Sequence, residues 1–298
     1  MVFQPPSHAE RAGSAVISTD RIPRRRFLLS ALCASGSSAF ACQPPITLRR
    51  DLRPLARLQA PSASTELPDA ALVEDLVAAN RILAQERIVD GYGHVSARHN
   101  RIANRFLLSR SLAPALVTAA DVMEYDLDSN AVNPQGRASY AERFIHGEIY
   151  RARPDVSAIV HCHTESLIPF ANSSTPLRPM FHMSSFVAEG VPVFEIRDAA
   201  GMTNMLVSNA RLGRALASTL GDKPAALMRG HGAVIVGDSI PAAVARSVYL
   251  DVNARLQMQA IAMGGSIKYL DPEEARLWNS SNTYDRAWEL WKRKAMAK

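Results

Sequence analysis

His161 and His163 stand two residues apart in Val160-His161-Cys162-His163-Thr164, at the end of an apolar run, 156–160, that reads as a short strand. Side chains alternate faces along a strand, so both imidazoles project from one face, roughly 6–7 Å apart. From there they can converge on a single metal ion at bond lengths of about 2.0–2.1 Å. Cys162 falls on the opposite face and drops out of such a ligand set. Alone, the pair could equally be two polar residues closing a buried strand.

Two further residues give the pair company. Glu142 precedes His161 by nineteen residues, and His231 follows His163 by sixty-eight, inside Arg229-Gly230-His231-Gly232. The runs on either side of His231 read as strands, so it occupies a glycine-bracketed bend where backbone can approach a ligand closely. Three neutral imidazoles and a nearby carboxylate make an open metal site that leaves a position for substrate. Glu142 has a structural reading as well. Ser139-Tyr140-Ala141-Glu142 has the form of a capping box, with the glutamate returning a hydrogen bond to the start of a helix. The two roles are compatible, because amide dipoles at a helix start orient a carboxylate and keep it ionised. His146 lies one turn later on the same face, where it either packs or supports the site.

Taken with Gly91-Tyr92-Gly93-His94-Val95-Ser96-Ala97-Arg98, these segments make residues 72–265 similar to the class II aldolase/adducin family. The resemblance implies an α/β/α (α+β) sandwich with a mainly antiparallel central sheet flanked by helices. It implies a homotetramer with sites at subunit interfaces and one divalent ion per chain, zinc or manganese. By position, His161, His163 and His231 would hold that ion and Glu142 would act as acid/base.

In sugar-phosphate aldolases of that family, the phosphate is held by an asparagine in a Gly-Asn-Val-Ser turn, a serine pair before the glutamate, and a Thr-Gly turn. The matching positions here read His94, Tyr140-Ala141 and the neighbourhood of Ser109-Arg110-Ser111-Leu112. A phosphate dianion needs several amide or hydroxyl donors. This pocket has lost several and gained an imidazole, a phenol and a guanidinium, whose fork suits a carboxylate. Those segments, with Leu107-Leu108-Ser109-Arg110-Ser111 and Pro179-Met180-Phe181-His182-Met183, look more like the family branch of metal-dependent decarboxylases. Arg110, His94, Ser111 and His182 are accordingly expected to contact substrate.

The expected activity is that of a divalent-metal-dependent carbon–carbon lyase, decarboxylating a small hydroxylated aromatic or heteroaromatic acid. The ion would act as a Lewis acid toward the enolate-like charge left when the bond breaks. Aldol cleavage or dehydration of a non-phosphorylated hydroxy-ketone or sugar acid would use the same donors. A non-catalytic, adducin-like binding module is the third reading; adducin-like members lack the metal histidines, whereas all three candidates stand here.

Positioning these residues requires strands mixed with helices. The patterning predicts helices over 69–89, from Glu142 onward, over 205–220 and over 240–263. It predicts strands over 94–98, 105–109, 122–127, 156–160 and 191–196, and a strand pair over 225–236. Strict βαβ alternation is absent, which favours α+β over a doubly wound sheet.

The first sixty residues read differently. Arg24-Arg25-Arg26-Phe27-Leu28, a mild apolar stretch and Ala39-Phe40-Ala41 fit a twin-arginine signal peptide over 1–41, followed by a proline-rich tether over 42–68 and the main domain over 69–298. The expected destination is periplasmic or otherwise extracytoplasmic, with Cys42 placed for a lipid anchor and no transmembrane span. Residues 1–60 hold nine Arg against three acids, a net of +6 that equals the charge of the whole chain. The body is therefore neutral, and the basic balance gives no support for nucleic-acid binding. The partner expected is a small carboxylate or hydroxy-carbonyl compound.

Overall fold

A computed structural model describes residues 66–279 and 284–297, within one compact unit, Ser62–Lys298. The segment expected to be a signal peptide, Cys42 and nearly all of the expected tether lie outside the described residues. No helix among those described is long and apolar enough to cross a membrane.

The strands are β1 (His94–Arg98), β2 (Arg105–Ser109), β3 (Val122–Asp126), β4 (Ala158–Cys162), β5 (Val193–Phe194), β6 (Ala225–Met228) and β7 (Gly232–Gly237). The helices are α1 (Ala70–Gln85), α2 (Phe144–Ala152), α3 (Ile168–Asn172), α4 (Ile196–Ala200), α5 (Ala210–Leu220), α6 (Ile240–Met263), α7 (Pro272–Asn279) and α8 (Asp285–Met296). The strands form one seven-stranded sheet in the order β3-β2-β1-β4-β7-β6-β5. Every pairing is antiparallel except β5 with β6.

Period-two alternation divides the strand side chains between two cores. Val95, Ala97, Leu107, Val160, Cys162 and Ile235 face one, with apolar residues of α1, α6 and α8. Phe106, Leu108, Ile159, Val234 and Val236 face the other, against α2 and α5. This is the expected α/β/α sandwich. Cys162 sits with the first core, fully buried, while His161 points to the second face.

Local signals account for several boundaries. The Ser239 hydroxyl caps α6 by accepting the Ala242 N–H, Pro241 occupies the first turn, and Gly264 at φ 75° ends the helix. The Asn209 side chain caps α5 through the Leu212 N–H, so that helix begins later than the pattern predicts. α1 also stops short of 89. Arg87 takes a left-handed φ of 60°, and the chain turns there to bury Ile88 and Val89.

The capping box predicted ahead of α2 does not form. Residues Ala141–Arg143 make a 3₁₀ turn, and Tyr140 at its start makes no side-chain cap. The Ser139 hydroxyl instead accepts a hydrogen bond from Tyr125.

The bend that carries His231 depends on its two glycines. Gly230 adopts φ 66°, open mainly to glycine, and its N–H is held by the Asn172 side chain at 2.6 Å. Gly232 lies so close to the end of β4 that a Cβ would overlap the Cys162 carbonyl oxygen. The oxygen is backbone and a Cβ is fixed rigidly to its own backbone, so neither can rotate away. Gly232→Ala is expected to destabilise the fold by about 1–3 kcal/mol, read as a lowered thermal midpoint with His231 displaced. An unchanged midpoint would show that β4 and β7 can separate freely.

Candidate metal centre

Antiparallel pairing of β4 with β7 sets His161 opposite Val234 and Cys162 opposite Ala233, which brings the bend before β7 to the end of β4. Pairing of β1 with β4 sets His94 beside His161. The 3₁₀ turn before α2 then directs the buried Glu142 side chain to the same point. His163 lies just past the end of β4 and is half-buried.

Three Nε2 atoms converge here. His163 Nε2 is 3.2 Å from His161 Nε2 and 3.1 Å from His231 Nε2. Two nitrogens bound to one ion at about 2.0–2.1 Å, with angles between octahedral and tetrahedral, would be about 2.9–3.4 Å apart. Glu142 Oε2 lies 3.4 Å from the Nε2 of both His161 and His231. One ligand atom from each of the four residues falls within 4.8 Å of all the others.

The far nitrogen of each ring explains why the near ones are available. His161 Nδ1 donates to the Ala233 carbonyl at 3.1 Å, and His231 Nδ1 donates to the Met205 carbonyl at 3.0 Å. A carbonyl can only accept, so both rings carry the proton on Nδ1 and turn an Nε2 lone pair inward. His163 Nδ1 faces the Asp90 carboxylate at 3.5 Å. Lone pairs pressed together at this range repel unless a cation or proton lies between them, so the donor set fits a divalent ion.

Charge is arranged to match. Burial pushes the Glu142 carboxyl upward, but His161 and His231 outweigh it and hold the group well below the usual carboxylate range. Its Oε1 accepts the Val207 N–H at 2.8 Å. Burial, with the neighbouring His161 and His231, brings His163 down to about 4. For His231, burial pulls the value down and the Glu142 carboxylate more than restores it, leaving it raised.

His163 is thus held below its ordinary value and His231 above it, so of the two it is His231 whose protonated form competes with an incoming ion. Metal affinity should rise with pH, by roughly tenfold per unit while His231 titrates, and level off above that range. Isothermal titration with zinc in buffers of differing ionisation enthalpy should register proton release. Affinity that does not change with pH while His231 titrates would contradict this competition.

Of the remaining sequence candidates, His94 is closest to the cluster. It is buried, its ring centroid 5.0 Å from that of His161 and 4.6 Å from that of Tyr140. Its Nδ1 meets His146 Nε2 at 2.7 Å, so only the other nitrogen can serve a ligand. Arg110 has one edge of its fork occupied. Its Nε is held by Asp121 Oδ1 at 2.6 Å. Ser111 is exposed and is fixed through its backbone N–H to Ala138. His182 stands apart from the four converging residues. It is exposed, its ring packs at 4.4 Å edge-on to Trp278, and it shares a hollow with Leu270 and Leu277.

The sequence reading missed Asp90, whose carboxylate both faces His163 and accepts the N–H groups of Tyr92 and Gly93. An Asp immediately before a glycine-rich turn is a recognisable signal for such a motif. The carbonyls of Met205 and Ala233 carry no signal in their side chains.

With this geometry in place, similarity to known proteins becomes informative. Residues 74–258 match the family model described as Class II Aldolase and Adducin N-terminal domain. The chain is 33% identical to Decarboxylase tropJ of Talaromyces stipitatus, over 76% of this chain and 95% of that one. It is 31% identical to the 3,4-dihydroxyphthalate decarboxylase of Arthrobacter keyseri, over 71% and 88%. Among solved structures, L-fuculose 1-phosphate aldolase of Glaciozyma antarctica superposes with a TM-score of 0.63 at 26% identity, covering 80% of this chain and 92% of that one. The chain belongs to the class II aldolase and adducin family and is an enzyme of its lyase class.

Proposed function

We propose that the chain decarboxylates a small hydroxylated aromatic or heteroaromatic carboxylic acid, with a divalent ion, zinc or manganese, held by His161, His163 and His231. The observation that carries this reading is the convergence of three inward-facing Nε2 atoms on a carboxylate that is kept ionised. Support for decarboxylation over aldol chemistry comes from two relatives with that activity in their names, at 31–33% identity. It also comes from Tyr140, which stands where the resemblance puts the serine pair of family aldolases and whose hydroxyl bonds to the Leu112 carbonyl and to Ser109 Oγ at 3.2 Å.

When bound, the ion supplies Lewis-acid stabilisation to negative charge developing on substrate oxygen. Glu142 starts as a carboxylate and is therefore a base: it takes the proton of a substrate hydroxyl and can return one to carbon after carbon dioxide departs. The Val207 N–H holds Oε1, which leaves Oε2 aimed at the cluster. The Nδ1 bonds to Ala233 and Met205 keep His161 and His231 from rotating as charge shifts. The working assembly in this reading is a homotetramer.

Metal-loaded protein incubated with panels of hydroxylated aromatic acids and of hydroxy-ketones tests the proposal. Carbon dioxide without aldehyde is the expected result. Aldehyde from a hydroxy-ketone, or loss of water from a sugar acid, would replace decarboxylation with the aldolase or dehydratase reading.

A further inference from the structure

Behind the cluster runs a line of buried polar groups that the mechanism above does not use. His94 Nδ1 lies 2.7 Å from His146 Nε2, His146 Nδ1 lies 2.6 Å from Ser96 Oγ, and Ser96 Oγ lies 2.9 Å from the Tyr150 hydroxyl. All four side chains are at most 2% exposed. β1 supplies His94 and Ser96, two residues apart and so on one face; α2 supplies His146 and Tyr150, one turn apart. The helix thus lies across the strand with its polar atoms in register.

The direction of this line follows from its far end. A buried phenol must donate its one O–H, and burial raises the Tyr150 group well above its ordinary value. Two acceptors are within reach: Ser96 Oγ at 2.9 Å and the Ser157 carbonyl at 3.5 Å. The second is at the limit of a hydrogen bond, so Tyr150 donates to Ser96. Ser96 then has its own O–H for His146 Nδ1. His146 must carry its proton on Nε2 and donates to His94 Nδ1. His94 in turn carries its proton on Nε2, which makes no hydrogen bond within the described residues and is not among the sealed, unpartnered atoms.

We propose that Tyr150, Ser96 and His146 are positioning residues that fix His94 as a neutral Nε2–H donor, and that His94 directs this N–H to an anionic oxygen, carboxylate or phenolate, of the substrate. The substrate half rests on the decarboxylase reading; the line itself does not. His94 stands at the end next to His161 and Tyr140, on the same face as the cluster. A neutral donor attracts an oxyanion without adding a second cation beside the ion. It disfavours at the same position any group that must itself donate, because two N–H or O–H protons would then face each other. The arrangement would select ionised acids over their neutral aldehydes or amides.

Nitrogen-15 histidine labelling of the full chain reads the tautomers directly, with no substrate present. His94 and His146 are both expected as Nε2–H, with signals assigned from His94→Gln and His146→Gln. Tyr150→Phe removes the donor that sets the direction, so both rings should shift toward mixed or Nδ1–H forms. Ser96→Ala, which leaves His146 Nδ1 without a donor, gives the same readout if Tyr150→Phe does not fold. A wild-type His94 protonated on Nδ1, or tautomers unmoved in both variants, overturns the proposal.

For the substrate half, the zinc-loaded chain is titrated with 2,3-dihydroxybenzoate and with catechol, which lacks the carboxylate. His94→Leu should weaken the benzoate about tenfold or more with zinc content unchanged, and His94→Gln, which keeps an N–H, should restore most of the affinity. Equal affinity in wild type and His94→Leu overturns that half. Failure of the wild type to bind either probe would overturn the decarboxylase reading and the substrate half with it, and the tautomer result would still decide the line behind the cluster.

Discussion

Replacing His161 by alanine should reduce bound divalent metal from about one ion per chain to less than about 0.2 and lower kcat/KM by about a thousandfold or more. Two remaining imidazoles do not close an open three-nitrogen site, and the Lewis-acid contribution goes with the ion. His161 is the ligand whose loss should matter most. It is fully buried, and it alone combines a strand position, a fixed Nδ1 bond to Ala233 and contact with both Glu142 and His163. Metal analysis and kinetics on the same preparation make the check, with a circular dichroism spectrum to establish folding. His163→Ala, at a half-buried position, is the second variant if the first does not fold. A His161→Ala protein that keeps its ion and its turnover would remove the three-histidine site as the seat of the metal.

Glu142→Gln should separate metal binding from proton transfer. The amide matches the carboxylate in shape and can still accept the Val207 N–H, so the fold and the three imidazoles stay in place. Metal content should therefore hold near one ion per chain while kcat falls by about 10²–10⁴, the range for loss of a general acid/base. A second effect has a definite sign. The carboxylate is what raises His231, so its removal lowers that value, and the pH at which metal binding levels off should move down. Turnover within about threefold of wild type would sink the acid/base assignment. Loss of the ion together with activity would make Glu142 a ligand instead.

The parts of this enzyme that were legible in the sequence are those governed by short-range rules. β1, β2 and α6 begin and end where alternation, the Ser239 cap, Pro241 and Gly264 place them. The four converging residues were also legible, because two histidines on one strand face and a histidine between glycines are local patterns. Glu142 shows where such rules stop. Ser139 through Glu142 spell a capping box, yet the carboxylate serves Val207, 65 residues away, and the serine serves Tyr125. A buried ionised group surrounded by imidazoles gains more from those partners than from one backbone N–H at a helix start. The line from His94 to Tyr150 was hidden for the same reason, since its contacts join residues 50–54 apart. His182 was read from a motif alone, and its packing against Trp278 depends on where α7 returns to the body.

The β4–β7 seam has a consequence in time as well as in space. During synthesis, His161 and His163 leave the ribosome 70 and 68 residues ahead of His231 and long before β7 can zip onto β4. Until then a nascent chain offers only two of the three imidazoles. In the proposed reading, capture of the ion waits for that closure. A chain stalled or cleaved before Gly237 would carry most of the scaffold and none of the metal.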